Sequence, residues 1–289
     1  MKRLECLDGL RGVLAVYVLL GHTAPFARLP DWIQSAVSHG AAAVDLFFAL
    51  SGLVIVQSLD RAGGRVRPFL LARAGRIFPV FLPVFVVAVA IEPLSCGFDA
   101  MPWLPWTSPA HSICVDGWPA AWLPEIVAHL TMTHGLFPWA VLPDVWVSFL
   151  GSAWSLSAEW QFYLLAVLVP RRRLVAVLLS LALAGTAWRL FGPAEWQFSR
   201  AFLPNQAHYF ALGVVSVRVV RRQPWAAIAY PGVLCMALAV AATTQGTAIG
   251  AMEKMLPPLA WTACLLMQAN PSLRLLQAGR RVLTSPVCL

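Results

Sequence analysis

Residues 40–59 read GAAAVDLFFALSGLVIVQSL, and Asp45 is the only charge among them. Coiled into an α-helix, this run is about 30 Å long, the thickness of a bilayer's hydrocarbon core. Its character then reverses: Arg61, Arg65, Arg67, Arg73 and Arg76 follow before the chain turns apolar again. An apolar run that stops at an arginine cluster marks a membrane span ending at a cytoplasmic loop.

The whole chain repeats this pattern. It has 289 residues, of which 59% are hydrophobic and 12% charged, with a mean hydropathy of +0.71. That charged share is about half of what soluble proteins carry. A soluble domain needs a charged surface, and this chain has too few polar residues to build one. The formal net charge of +8 does not indicate nucleic-acid binding. The cations cluster between apolar runs and form no basic surface interleaved with aromatics.

Further apolar runs give spans at 9–26, 77–91, 152–169, 174–191, 202–220, 225–243 and 255–268, in addition to 40–59. The loop 92–123 is rich in Pro and Trp, and the segment 124–142 carries Glu125, His129, His134, Pro124 and Pro138, with Pro143 directly after it. With the N-terminus in the cytoplasm and 124–142 not crossing, every strong basic cluster falls inside. Only Arg28, Arg189, Arg200 and Lys254 of the 21 Lys+Arg lie outside. If 124–142 crossed, Arg171–Arg173 would face outward, against the positive-inside rule. The expected fold is therefore all-α: a polytopic transmembrane helix bundle of about eight full spans plus one outer-face or re-entrant helix. Residues 1–289 form a single membrane-embedded domain, and Met1-Lys2-Arg3 begins a retained first helix, not a cleaved signal.

Cys6, Cys235, Cys264 and Cys288 lie in or beside apolar runs and read as small hydrophobes. Cys96 and Cys114 share one loop, and would be placed to pair if that loop faces an oxidising compartment. No His/Cys spacing suggests a metal.

Ionisable groups within a bilayer are expensive and mark function by default. Arg11 and His22 are eleven residues apart, near three turns, so they share one stripe of the first helix. Bland alternatives stand beside the functional ones: a hydrogen-bonded core histidine at His22, and an interfacial arginine snorkelling to headgroups at Arg11. Asp45 reads as a helix cap or a functional carboxylate. Arg73 and Arg76, at i and i+3, put two guanidiniums on one face. They suit bidentate phosphate binding or form an ordinary basic loop. Glu159 lies within a span, and Ser155, Glu159 and Tyr163 share a face at i, i+4 and i+8. Counted along the helices, His22 lies roughly 20 Å from the cytoplasmic end, with Asp45 and Glu159 roughly 8 and 10 Å from the outer end. That places all three in the outer half, as one shared site requires. The match His111–Asp116 to an H-x4-D acyltransferase signature lacks its usual surroundings and reads as coincidence. Ser155 and Ser157 lack a hydrolase's glycine-flanked elbow.

Four blocks now resemble one family. Leu7-Asp8-Gly9-Leu10-Arg11-Gly12 with His22, Val44-Asp45-Leu46-Phe47-Phe48-Ala49-Leu50-Ser51-Gly52, Arg73–Arg76 with Ile77-Phe78-Pro79, and Trp154-Ser155-Leu156-Ser157-Ala158-Glu159 with Gln161-Phe162-Tyr163 occur in the order seen in the acyltransferase-3 family of bacterial integral membrane O-acyltransferases. The resemblance implies transfer of an acetyl or other short acyl group from acyl-CoA to a hydroxyl of an extracytoplasmic cell-envelope carbohydrate, in the bacterial inner membrane. It implies His22 as the catalytic histidine, with Asp45 and Glu159 as supporting carboxylates. It assigns Arg73, Arg76 and Arg11 to the donor, acetyl-CoA, and calls for no metal. Membrane lipid, acyl-CoA and the carbohydrate are the expected partners, and nucleic acid is not one. Family members typically have about ten spans, so the chain is expected to lack the family's final helix. A proton-coupled transporter using the intramembrane His, Asp and Glu, or an inactive truncated member, are the alternatives. The absence of internal repeats weighs against the transporter.

Overall fold

The computed structural model describes residues 5–94, 101–104, 117–243 and 247–269. The Cys96–Cys114 pairing, the His111–Asp116 match and the expected missing helix all fall outside these residues. Among the described residues the fold is all-α, with one isolated β-bridge between Pro138 and Phe198. The helices are α1 (Glu5–Thr23), α2 (Asp31–Val37), α3 (Gly40–Arg61), α4 (Val66–Ile91), α5 (Trp122–Leu130), α6 (Trp154–Leu168), α7 (Arg171–Phe191), α8 (Leu203–Val220), α9 (Ala226–Thr243) and α10 (Ala248–Ala269). Among the described residues, five segments are long and apolar enough to cross a membrane: Gly9–Phe26, Asp31–Arg61, Val66–Leu94, Arg171–Phe191 and Ala226–Thr243.

The side chains are distributed inside-out. Val80, Val86, Ile228 and Ile249 are well exposed, whereas Asp45, Gln57, Glu125, His129, His134, Gln206 and His208 are buried. Apolar side chains cost nothing facing lipid, and polar ones must find partners within the protein.

Two elements differ from the sequence expectation. The helix α4 starts at Val66, eleven residues before the expected span at Ile77. Arg67, Arg73 and Arg76 are therefore helical, because a hydropathy window finds the lipid-facing stretch and not the helix that carries it. The helix α2 was not anticipated; its seven residues are too short to leave a periodic signal.

The chain forms two compact units, interleaved in sequence: residues 1–56, 174–180 and 207–289, and residues 57–173 and 181–206. In the first, α3 meets α8 through glycine. A Cβ on Gly52 would overlap the Phe210 carbonyl, and one on Gly213 the Ala49 carbonyl. Small residues let two backbones touch, which is how helices pack where lipid removes any hydrophobic drive. Phe48 stacks on Phe210 beside this contact, 4.8 Å between centroids. Farther along α8, the buried Trp261 of α10 donates its indole N–H to Ser216 at 2.8 Å.

In the second unit, Gly63 and Gly64 take φ of 63° and 73°, reversing the chain between α3 and α4. Arg171 closes the same end by pairing with Asp60 and donating to the Leu59 carbonyl at 3.1 Å. Nine residues make α5 about 14 Å long, too short to cross a bilayer. It buries Glu125, Ala128 and His129 while exposing Trp122, Leu123, Val127 and Leu130. His129 donates from Nδ1 to the Glu125 carbonyl at 2.9 Å, stacks on Phe85 at 5.3 Å, and stacks on His134 at 4.3 Å.

Two predictions follow from this packing. Gly213→Val overfills the α3–α8 contact and costs about 1–3 kcal/mol, seen as a lowered melting temperature in detergent. Burial pushes His129 down to about 4, and burial together with His129 pushes His134 down to about 3, so both are neutral when folded. The unfolded chain takes up these protons near pH 6.5. The stability they contribute is therefore complete above that pH and is lost as pH falls from about 6.5 towards 4 and 3. The melting temperature should fall over that range, and H129Q/H134Q should show a flatter profile.

Candidate functional site

The helix α6 presents two working faces. On one, Ser157 donates to the Met132 carbonyl at 2.8 Å and accepts from the Gly135 N–H at 3.0 Å. One turn on, Gln161 donates to Ser157 and to the Ala201 carbonyl, and accepts from the Leu203 N–H at 3.0 Å. These two side chains clasp the turn after α5 and the loop before α8. Ser157 is thus committed to structure, in agreement with the missing nucleophile elbow.

The other face carries Ser155, Glu159 and Tyr163, and all three line a cavity of about 440 Å³, as their spacing implied. Tyr163 donates its hydroxyl to Glu159 Oε2 at 2.8 Å. Across from them, α4 contributes Arg73 and Arg76, then Ile77, Val80, Phe81 and Val84. Arg73 is held firmly. It donates to Ser58 Oγ at 2.5 Å, and its guanidinium lies 5.7 Å from the Phe69 ring and 5.9 Å from the Tyr163 ring. Arg76 is exposed and makes no hydrogen bond or ion pair among the described residues. The cavity is therefore cationic and hydrogen-bonding where Arg73, Arg76, Glu159 and Tyr163 meet. It is apolar along α4, where Arg73 to Val84 covers roughly 16 Å.

Glu159 was expected in the outer half, apart from the arginine pair. Instead it shares their cavity. With 15 residues, α6 is only about 22 Å long, and the arginines lie two to three turns inside α4, on the helix that their spacing implied.

Arg11, His22 and Asp45 belong to the first unit. Arg11 is half-buried in the second turn of α1, and His22 is exposed in its last turn. Asp45 is fully buried, and its carboxylate does not bond to His22. Oδ2 accepts from Lys254 Nζ of α10 at 2.7 Å, and Tyr209 donates to the Lys254 carbonyl at 3.1 Å. Next to Lys254, Glu253 pairs with His39 at 3.3 Å. His22 makes no hydrogen bond among the described residues. Sequence reading missed Lys254, although a signal existed. A carboxylate inside an apolar run requires a cation, and Lys254 was one of four basic residues expected on the outer side. Among the described residues no group of three or more His, Cys, Asp or Glu is placed to hold a metal ion.

Comparison with known proteins bears on the activity. The sequence profile of the acyltransferase-3 family, described as an acyltransferase domain, matches residues 4–283. An acyltransferase of Streptomyces mycarofaciens, MdmB, is 29% identical over 92% of this chain and 68% of its own length. An O-acetyl transferase of Shigella phage Sf6 is 33% identical over 30% of this chain and 26% of its own. Protein 2 in the picA locus of Rhizobium radiobacter is 34% identical over 31% and 46%. No solved structure matches. With the profile spanning nearly its whole length, the chain belongs to the acyltransferase-3 family and is an O-acyltransferase.

Proposed function

We propose that this enzyme moves an acetyl or other short acyl group from acyl-CoA to a hydroxyl of a cell-envelope carbohydrate or related glycoside. It works as one catalytic domain in the bacterial inner membrane, N-terminus inside, with eight spans and 124–142 at the outer face. The observation that carries this reading is the single cavity that joins two guanidiniums to an apolar wall. Acyl-CoA has the matching parts: phosphates, then a long, weakly polar pantetheine arm ending in the thioester.

In this reading Arg76, with no partner among the described residues, grips phosphate as a fork. Arg73, braced by Ser58, Phe69 and Tyr163, forms a fixed wall of the same site. The family resemblance also assigns Arg11 to the acyl donor. His22 takes the proton from the acceptor hydroxyl as its oxygen attacks the thioester carbon. The tetrahedral intermediate collapses by breaking the C–S bond, and the CoA thiolate leaves with that proton. Glu159, in the donor cavity, and Asp45, paired with Lys254, act as the supporting carboxylates. The acceptor enters from the outer side, where α1 ends with His22.

His22→Ala should abolish acetate transfer in a complemented strain, and full acetylation would overturn the assignment. Arg76→Ala should raise KM for acetyl-CoA about tenfold or more with kcat little changed. Lys254→Met strands the Asp45 charge, fully buried, and should cost about 3–5 kcal/mol. The double variant D45N/K254M should recover much of that stability in thermal unfolding, because neither charge is then left unmatched.

A further inference from the structure

The first unit holds a second cavity of about 340 Å³, between the end of α1 and α2. It falls at the small end of the roughly 300–1,000 Å³ typical of small-molecule sites. Its lining is unusual for this chain. Asp31, Gln34 and Ser35 line it from one face of α2, at i, i+3 and i+4, and Ser38 continues that face from the helix's C-cap. This short helix thus turns a stripe of hydrogen-bonding side chains to a cavity, within a protein that is 59% hydrophobic.

The stripe is only partly used. Gln34 donates to the Leu29 carbonyl at 3.3 Å and Ser38 to the Ser35 carbonyl at 2.8 Å. The Asp31 carboxylate and the Ser35 hydroxyl bond to nothing among the described residues. The opposite wall is the last turn of α1. It supplies Gly21 to the lining, and His22 follows directly in the chain. That wall is set closely. Tyr17 donates to the Ala36 carbonyl at 2.8 Å, and a Cβ on Gly21 would lie 2.8 Å from the Val37 carbonyl oxygen. Only glycine lets α1 come this near to α2.

We propose that this cavity is the acceptor subsite: the polar face of α2 binds one sugar ring of the acceptor and presents a hydroxyl to the end of α1 that carries His22. This rests on the reading of His22 as the base. Asp31 and Ser35 supply acceptor and donor groups to ring hydroxyls, and Gln34 contributes its amide oxygen. The carboxylate of Asp31 also sets the class of substrate. It favours neutral or amine-bearing glycosides and repels a uronate or phosphorylated ring at the same position.

The test uses the full chain in nanodiscs with acetyl-CoA and three probes: a methyl hexoside, the corresponding methyl aminohexoside and the methyl hexuronide. Acetylated product is measured by mass spectrometry and CoA release in parallel. The expected result is acetylation of the first two over the third. D31N should raise KM for the neutral glycoside about tenfold, narrow the discrimination against the uronide, and leave KM for acetyl-CoA unchanged. Gly21→Ala should raise the acceptor KM in the same selective way. Glycoside acetylation with acceptor KM and charge preference untouched in D31N and S35A would overturn the subsite alone. His22-dependent CoA release without acetylation of any probe would overturn the sugar-acceptor reading, and the subsite with it.

Discussion

A charge or hydrogen-bonding group inside this protein has no water to fall back on. The partner of a buried charge then comes from the chain, and this requirement joins distant helices. Asp45 shows it most directly. Its carboxylate is completely buried, and the lysine that neutralises it comes from another helix, α10, whose backbone is in turn held by Tyr209. The same requirement explains why α5 turns Glu125 and His129 inward and tryptophan outward, the reverse of a soluble amphipathic helix.

The helix α6 uses the constraint in two ways at once. Its Ser157 and Gln161 satisfy backbone groups of two loops, fixing irregular chain beside the bundle. Its Ser155, Glu159 and Tyr163, half a turn away, face a cavity with Arg73 and Arg76. A helix with one face committed to structure can hold the other still. Groups that meet a substrate then need little reorganisation when it binds. Arg73 is treated likewise, pinned by a hydroxyl and two rings, whereas Arg76 three residues later is left open.

Much of this was legible in the sequence, for physical reasons. Long apolar runs with arginine ends can only be helices in lipid, so the all-α class and most helix ends read correctly. Spacing of four residues placed Ser155, Glu159 and Tyr163 on one face because a helix allows nothing else. What stayed hidden depended on tertiary pairing or on weak local signals. The first turns of α4 were masked by their arginines, which a hydropathy scale scores as loop although long side chains suit a helix well. The seven residues of α2 carried no period to detect. Asp45 was read as a candidate without Lys254, since an apolar run calls for a cation but does not say which of the distant ones will supply it.

That distance bears on how the protein is made. Asp45 and Lys254 are 209 residues apart. At synthesis rates of about 5–20 residues per second, the lysine emerges roughly 10 to 40 s after the aspartate. During that interval α3 carries an uncompensated carboxylate. The pair therefore ties an early stage of synthesis to a late one: α3 gains its buried cation only once α10 has been made.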